Sequence, residues 1–168
     1  MGLPACACRV RALRTEDRDG LLGMIARCSP DSLYQRFMVY SPRAPLEYVQ
    51  AILCDPDCYT AIAEHHDEGA PHIVGEASLS FDGSSKAEIA LLVGDEFQGM
   101  GVGELLTRHL CAAAVHRGLL CLKATALTHN IAIVRLFRRV AATTAISPPE
   151  AGVVSITLRL HGEQRQER

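Results

Sequence analysis

The sequence predicts an α+β fold in which helices flank a mixed, mostly antiparallel sheet, and three observations carry that expectation. Strand patterns at 59–64, His72–Phe81 and Ala87–Val93 follow one another with only turn-like breaks between them. Apolar residues then recur at helical spacing twice, as Leu106, Leu110 and Ala113 or Ala114, and as Ile133, Leu136, Phe137 and Val140. Each of these helical stretches is followed by a further strand pattern, at 119–127 and 152–160.

RVRALR (9–14) alternates Val10 and Ala12 against arginines, as a half-exposed first strand does. Thr15 is placed to cap a helix running to about Ala26, with Leu21, Leu22 and Ile25 on its apolar face. Pro30, Pro42 and Pro45 punctuate the segment from Cys28 to Leu53, so helices there are short, for instance 32–37 and 46–53, in a surface-lining connection. HHDEGAP and DGSSK separate the next three strands and have hairpin chemistry, the second through Asp82-Gly83, so these strands form an antiparallel meander. Gly118 ends the following helix as a natural C-cap, and LLCLKATAL returns as a strand. Asn130 can cap the last helix, and GVVSITLRL closes the sheet by alternation. The order is β-α-α-β-β-β-α-β-α-β in one domain over 9–160, with 1–8 and 161–168 as flexible ends; the tail HGEQRQER mixes both charge signs without apolar anchors.

Composition narrows the function classes. Apolar residues make up 48% of the chain, yet no run of membrane-spanning length is free of charges, so no membrane association is expected. MGLPACAC has neither the basic nor the long apolar segment of a secretory signal, and Cys6 stands where myristoylation would want Ser or Thr. Seven scattered cysteines, an odd number, read as reduced thiols in a cytoplasmic protein. Cys54 and Cys58, with His65 and His66 beyond, lack a second pair at ligand spacing, so no metal is expected. The net charge of −2 and the dispersed basic residues argue against a nucleic-acid partner.

The most informative stretch is FQGMGVGELLTRHL. Its glycines lie between a strand and a helix, leaving unblocked backbone N–H groups at the positive end of the helix dipole, an anion cradle. A Walker loop would need Lys and then Ser or Thr where Glu104 and Leu105 stand. A dinucleotide fingerprint fails at Glu104 too, and the strand after the helix ends without a ribose-binding acid. The pattern that fits is Q-x-x-G-x-G, formed by Gln98, Gly99, Met100, Gly101, Val102 and Gly103 directly after AEIALLV.

At these residues the sequence resembles the GNAT superfamily of acyl-CoA-dependent N-acyltransferases, and the order of elements extends the resemblance over nearly the whole chain. SPDSLYQRF (29–37), AEIALLV and GVVSITLRL also resemble the catalytic domain of the Pat-type bacterial protein lysine acetyltransferases. The resemblance implies acetyl-CoA as co-substrate, its pyrophosphate held by Gln98 to Gly103 and by Glu104 in the first helical turn. It implies that the backbone of Leu91, Leu92 and Val93 holds the pantetheine arm and polarises the thioester carbonyl. Asn130 would line the far side of the cofactor, a position that its helix-cap role explains nearly as well. A protein lysine is the implied acceptor; the alternatives are a small-molecule amine substrate, or a non-catalytic acyl-CoA sensor that binds a partner protein.

Glu88 matches the glutamate assigned as base in the Pat-like family, and its apolar strand neighbours suggest partial burial that would raise its pKa toward neutrality. Tyr34, Arg36 and Phe37 match a segment expected near the acceptor groove, although helix packing with a snorkelling Arg is the commoner meaning of such a trio. Glu76 is a second carboxylate, expected to be exposed. Phe137 stands in the helix where many relatives place a tyrosine that protonates the leaving thiolate, and VAATTAI replaces their usual Gly-Phe ending. No cysteine neighbours a convincing base, so direct attack by the amine in a ternary complex is expected. The chain has no room for the fused acyl-CoA-synthetase-like or cyclic-nucleotide-binding domain of several Pat-type proteins, so any regulation is expected to come from outside.

Overall fold

A computed structural model describes residues 8–66, 69–83 and 86–161. In chain order the strands are β1 (Cys8–Ala12), β2 (Cys58–His65), β3 (His72–Phe81), β4 (Ala87–Val93), β5 (Cys121–Leu127), β6 (Thr143–Ile146) and β7 (Val153–Arg159). The helices are α1 (Arg18–Ala26), α2 (Pro30–Phe37), α3 (Ala44–Cys54), α4 (Val102–His116) and α5 (Ile131–Val140). The strands form one seven-stranded sheet in the order β1-β2-β3-β4-β5-β7-β6, antiparallel at every pairing except β4 with β5. The α+β expectation holds, with the meander, α4, the strand after it and α5 where the periodicity places them.

Two apolar layers cover the sheet, one on each face. Leu106 and Leu110 of α4 and Phe137 of α5 pack on Ala61, Ala77, Leu79, Ile89 and Leu122. Leu21, Met24 and Ile25 of α1 and Val49 of α3 cover Ile62 and Leu92 on the opposite face. Ile89 and Leu92 thus belong to opposite layers, as alternation along β4 requires. Gly75 in β3 lets α4 start close to the sheet: a Cβ there would lie 3.1 Å from Leu106 Cδ1 and 3.2 Å from the Leu92 carbonyl.

Several local expectations are corrected. Thr15 does not cap α1. It opens a 3₁₀ turn, Thr15–Asp17, because the Asp17 carboxylate accepts the Arg14 N–H at 2.8 Å and is gripped by both terminal nitrogens of Arg11, at 2.7 and 2.8 Å. The first strand begins at Cys8 and ends at Ala12, so Cys8 belongs to the sheet, while the expected flexibility of 1–7 and 162–168 lies outside the described residues. All three helices expected between β1 and β2 are present, one more than the order β-α-α-β counts. Pro30 and Pro45 sit in first turns, where a missing N–H is harmless, so α2 and α3 run longer than the prolines suggested; Ser29 caps α2 by accepting the Ser32 N–H at 3.2 Å. The VAATTAI segment contains β6, an edge strand paired to β7 over Thr143↔Arg159 to Ile146↔Ile156.

Between β6 and β7 a two-residue turn is closed by reciprocal 2.9 Å bonds between Glu150 and Val153, with φ of 48° at Ala151 and 82° at Gly152. Both central residues are left-handed, the type I′ geometry for which Asn-Gly is the favoured pair. Ala151→Asn is therefore expected to stabilise the fold by about 0.5–1 kcal/mol, read as a higher urea midpoint at unchanged m-value.

The feature that makes the site is the single parallel pairing. β4 and β5 share only the positions Ala87↔Leu122 and Glu88↔Lys123, and then diverge. Each strand stays paired on its other side, β4 with β3 as far as Val93 and β5 with β7 as far as Leu127. The sheet therefore splays open between Ile89 and Val93 on one side and Ala124 and Leu127 on the other.

Candidate active site

A cleft of about 390 Å³ fills the splay. β4 lines it from Ile89 to Val93 and β5 from Ala124 to Ala126, with the glycine segment, α2 and α5 completing its boundary. Beyond Glu88 the β5-facing edge of β4 has no strand partner, so the backbone around Leu91 is open to hydrogen bonding from the cleft.

At one end stands the start of α4. Gly99 and Gly101 have φ of 74° and 89°, and Gly101 is the N-cap, so no side chain caps this helix. The first-turn N–H groups of Val102, Gly103 and Glu104 have no intrahelical acceptor, and Gly101 and Gly103 both line the cleft. Glu104 is held by Arg108 at 2.8 Å and by Arg139 at 3.7 Å, which offsets its charge beside the cradle. Arg135 also lines the cleft from α5. A bare helix start, flanking arginines and an open strand edge suit a ligand that carries a diphosphate on an extended, amide-bearing arm.

Among the residues expected in the site, Leu91, Leu92, Val93, Gln98, Gly99, Gly101, Gly103, Glu104, Asn130 and Arg36 line this cleft. Met100 and Val102 do not; the Val102 side chain is buried in the core. Asn130 caps α5, its Oδ1 accepting the Ile133 N–H at 3.2 Å, and it also lines the cleft. Phe137 is a cleft-lining core residue, and none of the four tyrosines reaches the lining. Gln98 turns its amide nitrogen inward, donating at 3.1 Å to the Val93 carbonyl, to Ser32 Oγ and to Asp95 Oδ1. Asp95 also accepts the Ser29 N–H at 2.7 Å and the Ser32 hydroxyl at 2.5 Å. The Ser32 hydroxyl first, and Ser29 after it, hold the Asp95 carboxyl below the usual carboxylate range.

Glu88 lies at the apex of the splay and is exposed, which corrects the expectation of partial burial. The helical layer over this face covers Ile62, Glu76 and Leu92 but stops short of Ser80, Glu88 and Lys123, the cross-strand neighbours that are all exposed. Thr125, which does line the cleft, donates to Glu88 Oε1 at 3.3 Å across the gap. Neither Thr125 nor Arg135 was singled out from the sequence; pairing LLCLKATAL in parallel with AEIALLV would have found Thr125.

Glu76 and Arg36 also depart from expectation. Glu76 is fully buried, not exposed, and Arg36 does not snorkel: its Nε donates to Glu76 Oε1 at 3.0 Å. Tyr48 donates its hydroxyl to Glu76 Oε2 at 2.7 Å, and the Arg36 guanidinium lies 4.4 Å from the centre of the Tyr48 ring. Burial, and then the Glu76 charge, push the Tyr48 phenol well above its ordinary value, so it acts as a neutral donor. Phe37 packs edge-on against Tyr48, and Tyr34 stacks on Tyr40 at 4.2 Å; neither lines the cleft. Arg36→Met alone strands a buried carboxylate and is expected to destabilise by about 3–5 kcal/mol. Arg36→Met combined with Glu76→Met should recover most of that loss in chemical denaturation.

Residues 28–141 match the acetyltransferase (GNAT) family. Over 117 residues the chain is 31% identical to Acetyltransferase Pat of Mycolicibacterium smegmatis, covering 68% of this chain and 34% of that protein. It thus spans about a third of the length of the curated relative that it matches. The crystal structure of the GNAT domain of S. lividans PAT superposes with a TM-score of 0.78 at 26% identity, over 91% of this chain and 90% of that one. The PaiA N-acetyltransferase of Thermoplasma acidophilum, solved in complex with coenzyme A, shares the fold at a TM-score of 0.66 and 12% identity, over 90% and 98% of the two chains. The splayed β4 and β5, the uncapped glycine start of α4 and the match over 28–141 agree: this chain belongs to the GNAT acetyltransferase family.

Proposed function

We propose that the chain transfers acetyl from acetyl-CoA to the side-chain amine of a protein lysine, by direct attack within a ternary complex. The observation that carries this reading is the meeting, in one splayed cleft, of an open strand edge and an uncapped helix start, with the Glu88 carboxylate just outside the lining and bonded to Thr125 within it. Acetyl-CoA, when bound, supplies an activated acyl thioester whose acetyl group passes to the amine as coenzyme A leaves as the thiol.

The chain's own residues divide the remaining work. The N–H groups of Val102, Gly103 and Glu104, supported by Arg135 and Arg139, hold the diphosphate. Backbone groups of 91–93 pair with the extended arm, and one N–H there favours negative charge on the carbonyl oxygen. A lysine amine has a pKa near 10.4, so only about one in a few thousand is neutral at pH 7 and a base is needed. Glu88 takes the proton, directly or through water, with Thr125 fixing one of its oxygens. An acceptor seated over Ser80, Glu88 and Lys123 removes water from that carboxylate, supplying the burial that the free protein lacks. Phe137 leaves no phenol for the departing sulfur, which a thiol of pKa about 8.5 tolerates. The open row around Glu88 suits a lysine presented on a protein surface better than a small amine needing enclosure. Reduced thiols at Cys28, Cys54, Cys58 and Cys111 fit a cytoplasmic setting.

The test has two steps. Acetyl-CoA should raise the melting temperature while ATP and NAD leave it unchanged. Mass spectrometry after incubation with acetyl-CoA and a cell extract should then find new acetyl-lysine on proteins. Acetylated small amines alone would move the reading to a small-molecule enzyme, and cofactor binding without any product would leave a non-catalytic acyl-CoA sensor.

A further inference from the structure

We propose that Ser32 and Asp95 form a latch through which the glycine loop positions α2, so that cofactor and acceptor strengthen each other's binding; this rests on the acetyl-CoA reading above. The two ends of α2 are fastened by unlike means. Its C-terminal end is pinned by Arg36, whose guanidinium is inserted between Glu76 and the Tyr48 ring in a buried cluster. Its N-terminal end is held by hydrogen bonds at the surface. Asp95 Oδ2 accepts the Ser29 N–H at 2.7 Å, Asp95 Oδ1 accepts the Ser32 hydroxyl at 2.5 Å, and Gln98 Nε2 donates to Ser32 Oγ at 3.1 Å. Asp95 and Gln98 are exposed, whereas Glu76 is fully buried. Water competes for the first set of bonds and not for the second, so α2 is pivoted at Arg36 and releasable at Ser32.

The polar groups that hold the releasable end from outside the helix, Asp95 and Gln98, belong to the segment between β4 and α4, while Leu33 rests on the apolar layer of α1 and α3. Gln98 ties this segment both to Ser32 and to the Val93 carbonyl, at the end of the open strand edge. Ser32, Gln35 and Arg36 face the cleft from α2, and Gln98, Gly99 and Gly101 face it from the loop. Ser29 is also the cap of α2, so what fixes Ser29 and Ser32 fixes the first turn of the helix. A ligand on the glycine segment narrows the positions open to Gln98 and Asp95, and through them those of Ser32. By linkage, an acceptor that settles against α2 favours the same arrangement of the loop. Ser32 and Asp95 are positioning residues, acting through helix and loop.

Hydrogen–deuterium exchange of the full chain, with and without coenzyme A, tests the latch without needing an acceptor. Coenzyme A should protect 98–104 and also slow exchange at 32–35 by at least about fivefold. Ser32→Ala should keep the protection of the loop and lose that of α2, while Ser32→Thr, which retains the hydroxyl, should restore it. Asp95→Asn should behave like Ser32→Ala. Protection confined to the loop in wild type, or α2 protection surviving in Ser32→Ala, overturns the latch and leaves the cofactor reading standing. Failure of coenzyme A to protect 98–104 at all overturns the cofactor reading, and the latch with it.

Discussion

Glu88→Gln is expected to lower kcat by about 10²–10⁴-fold, the usual share of a positioned base, with the affinity for acetyl-CoA unchanged. Glutamine keeps the shape of glutamate and an oxygen for the Thr125 hydroxyl, so the apex of the splay should stay assembled. What is lost is the ability to take a proton from the ammonium form of the acceptor. The defect has a signature in pH: above about pH 10 the lysine amine sheds its own proton, so the gap between variant and wild type should narrow as pH rises. Steady-state thiol release across pH, with calorimetry of acetyl-CoA binding, measures both parts. Equal turnover of the two proteins at neutral pH would refute the assignment of Glu88 as base.

Gly101→Glu is the second large effect, expected to weaken acetyl-CoA binding on the order of 100-fold or more. At φ of 89° any side chain on residue 101 is strained by about 1–2 kcal/mol, and a carboxylate there also sets a negative charge before the bare N–H groups of α4. Gly101→Gln separates the two effects, because glutamine is strained at this backbone as glutamate is but brings no charge. It should bind acetyl-CoA measurably better than the Glu variant at similar thermal stability. Calorimetry supplies the affinities, and circular dichroism melts confirm that both variants fold. Wild-type affinity in Gly101→Glu would remove the helix start from the binding site.

The legible parts of this fold were those decided within a short window. α4 and α5 were readable because their caps and apolar spacing are local, and the meander because its breaks carry turn chemistry. Thr15 misled because a better acceptor, Asp17, lies two residues on and is recruited by Arg11, whose place on β1 a capping rule does not consider. Glu76 shares one strand face with Ser78 and Ser80, a polar alternation that reads as solvent-facing. Its burial depends on Arg36 and Tyr48, 40 and 28 residues away in the chain, and nothing within β3 announces either. Glu88 fails in the opposite sense: its neighbours along β4 are apolar, but cover is set by where the α1 to α3 layer ends. β6 is four residues long and owes its register to β7, so its own sequence carries little signal. In the site, the segments proposed to work through backbone were visible as glycines and a plain apolar strand. Thr125 and Arg135 required knowledge of which strand and helix border the cleft.

The two-rung join between β4 and β5 has a consequence for how the molecule ages and survives. Along that line the sheet is effectively two rafts moored by little besides the helices lying across them. Were the arm of acetyl-CoA to pair with β4 as proposed above, it would add a plank between the rafts, and the reagent consumed in each turnover would also be part of the scaffold. Ligand-free protein would then open first along this joint, and saturation with acetyl-CoA would raise the free energy needed to part it.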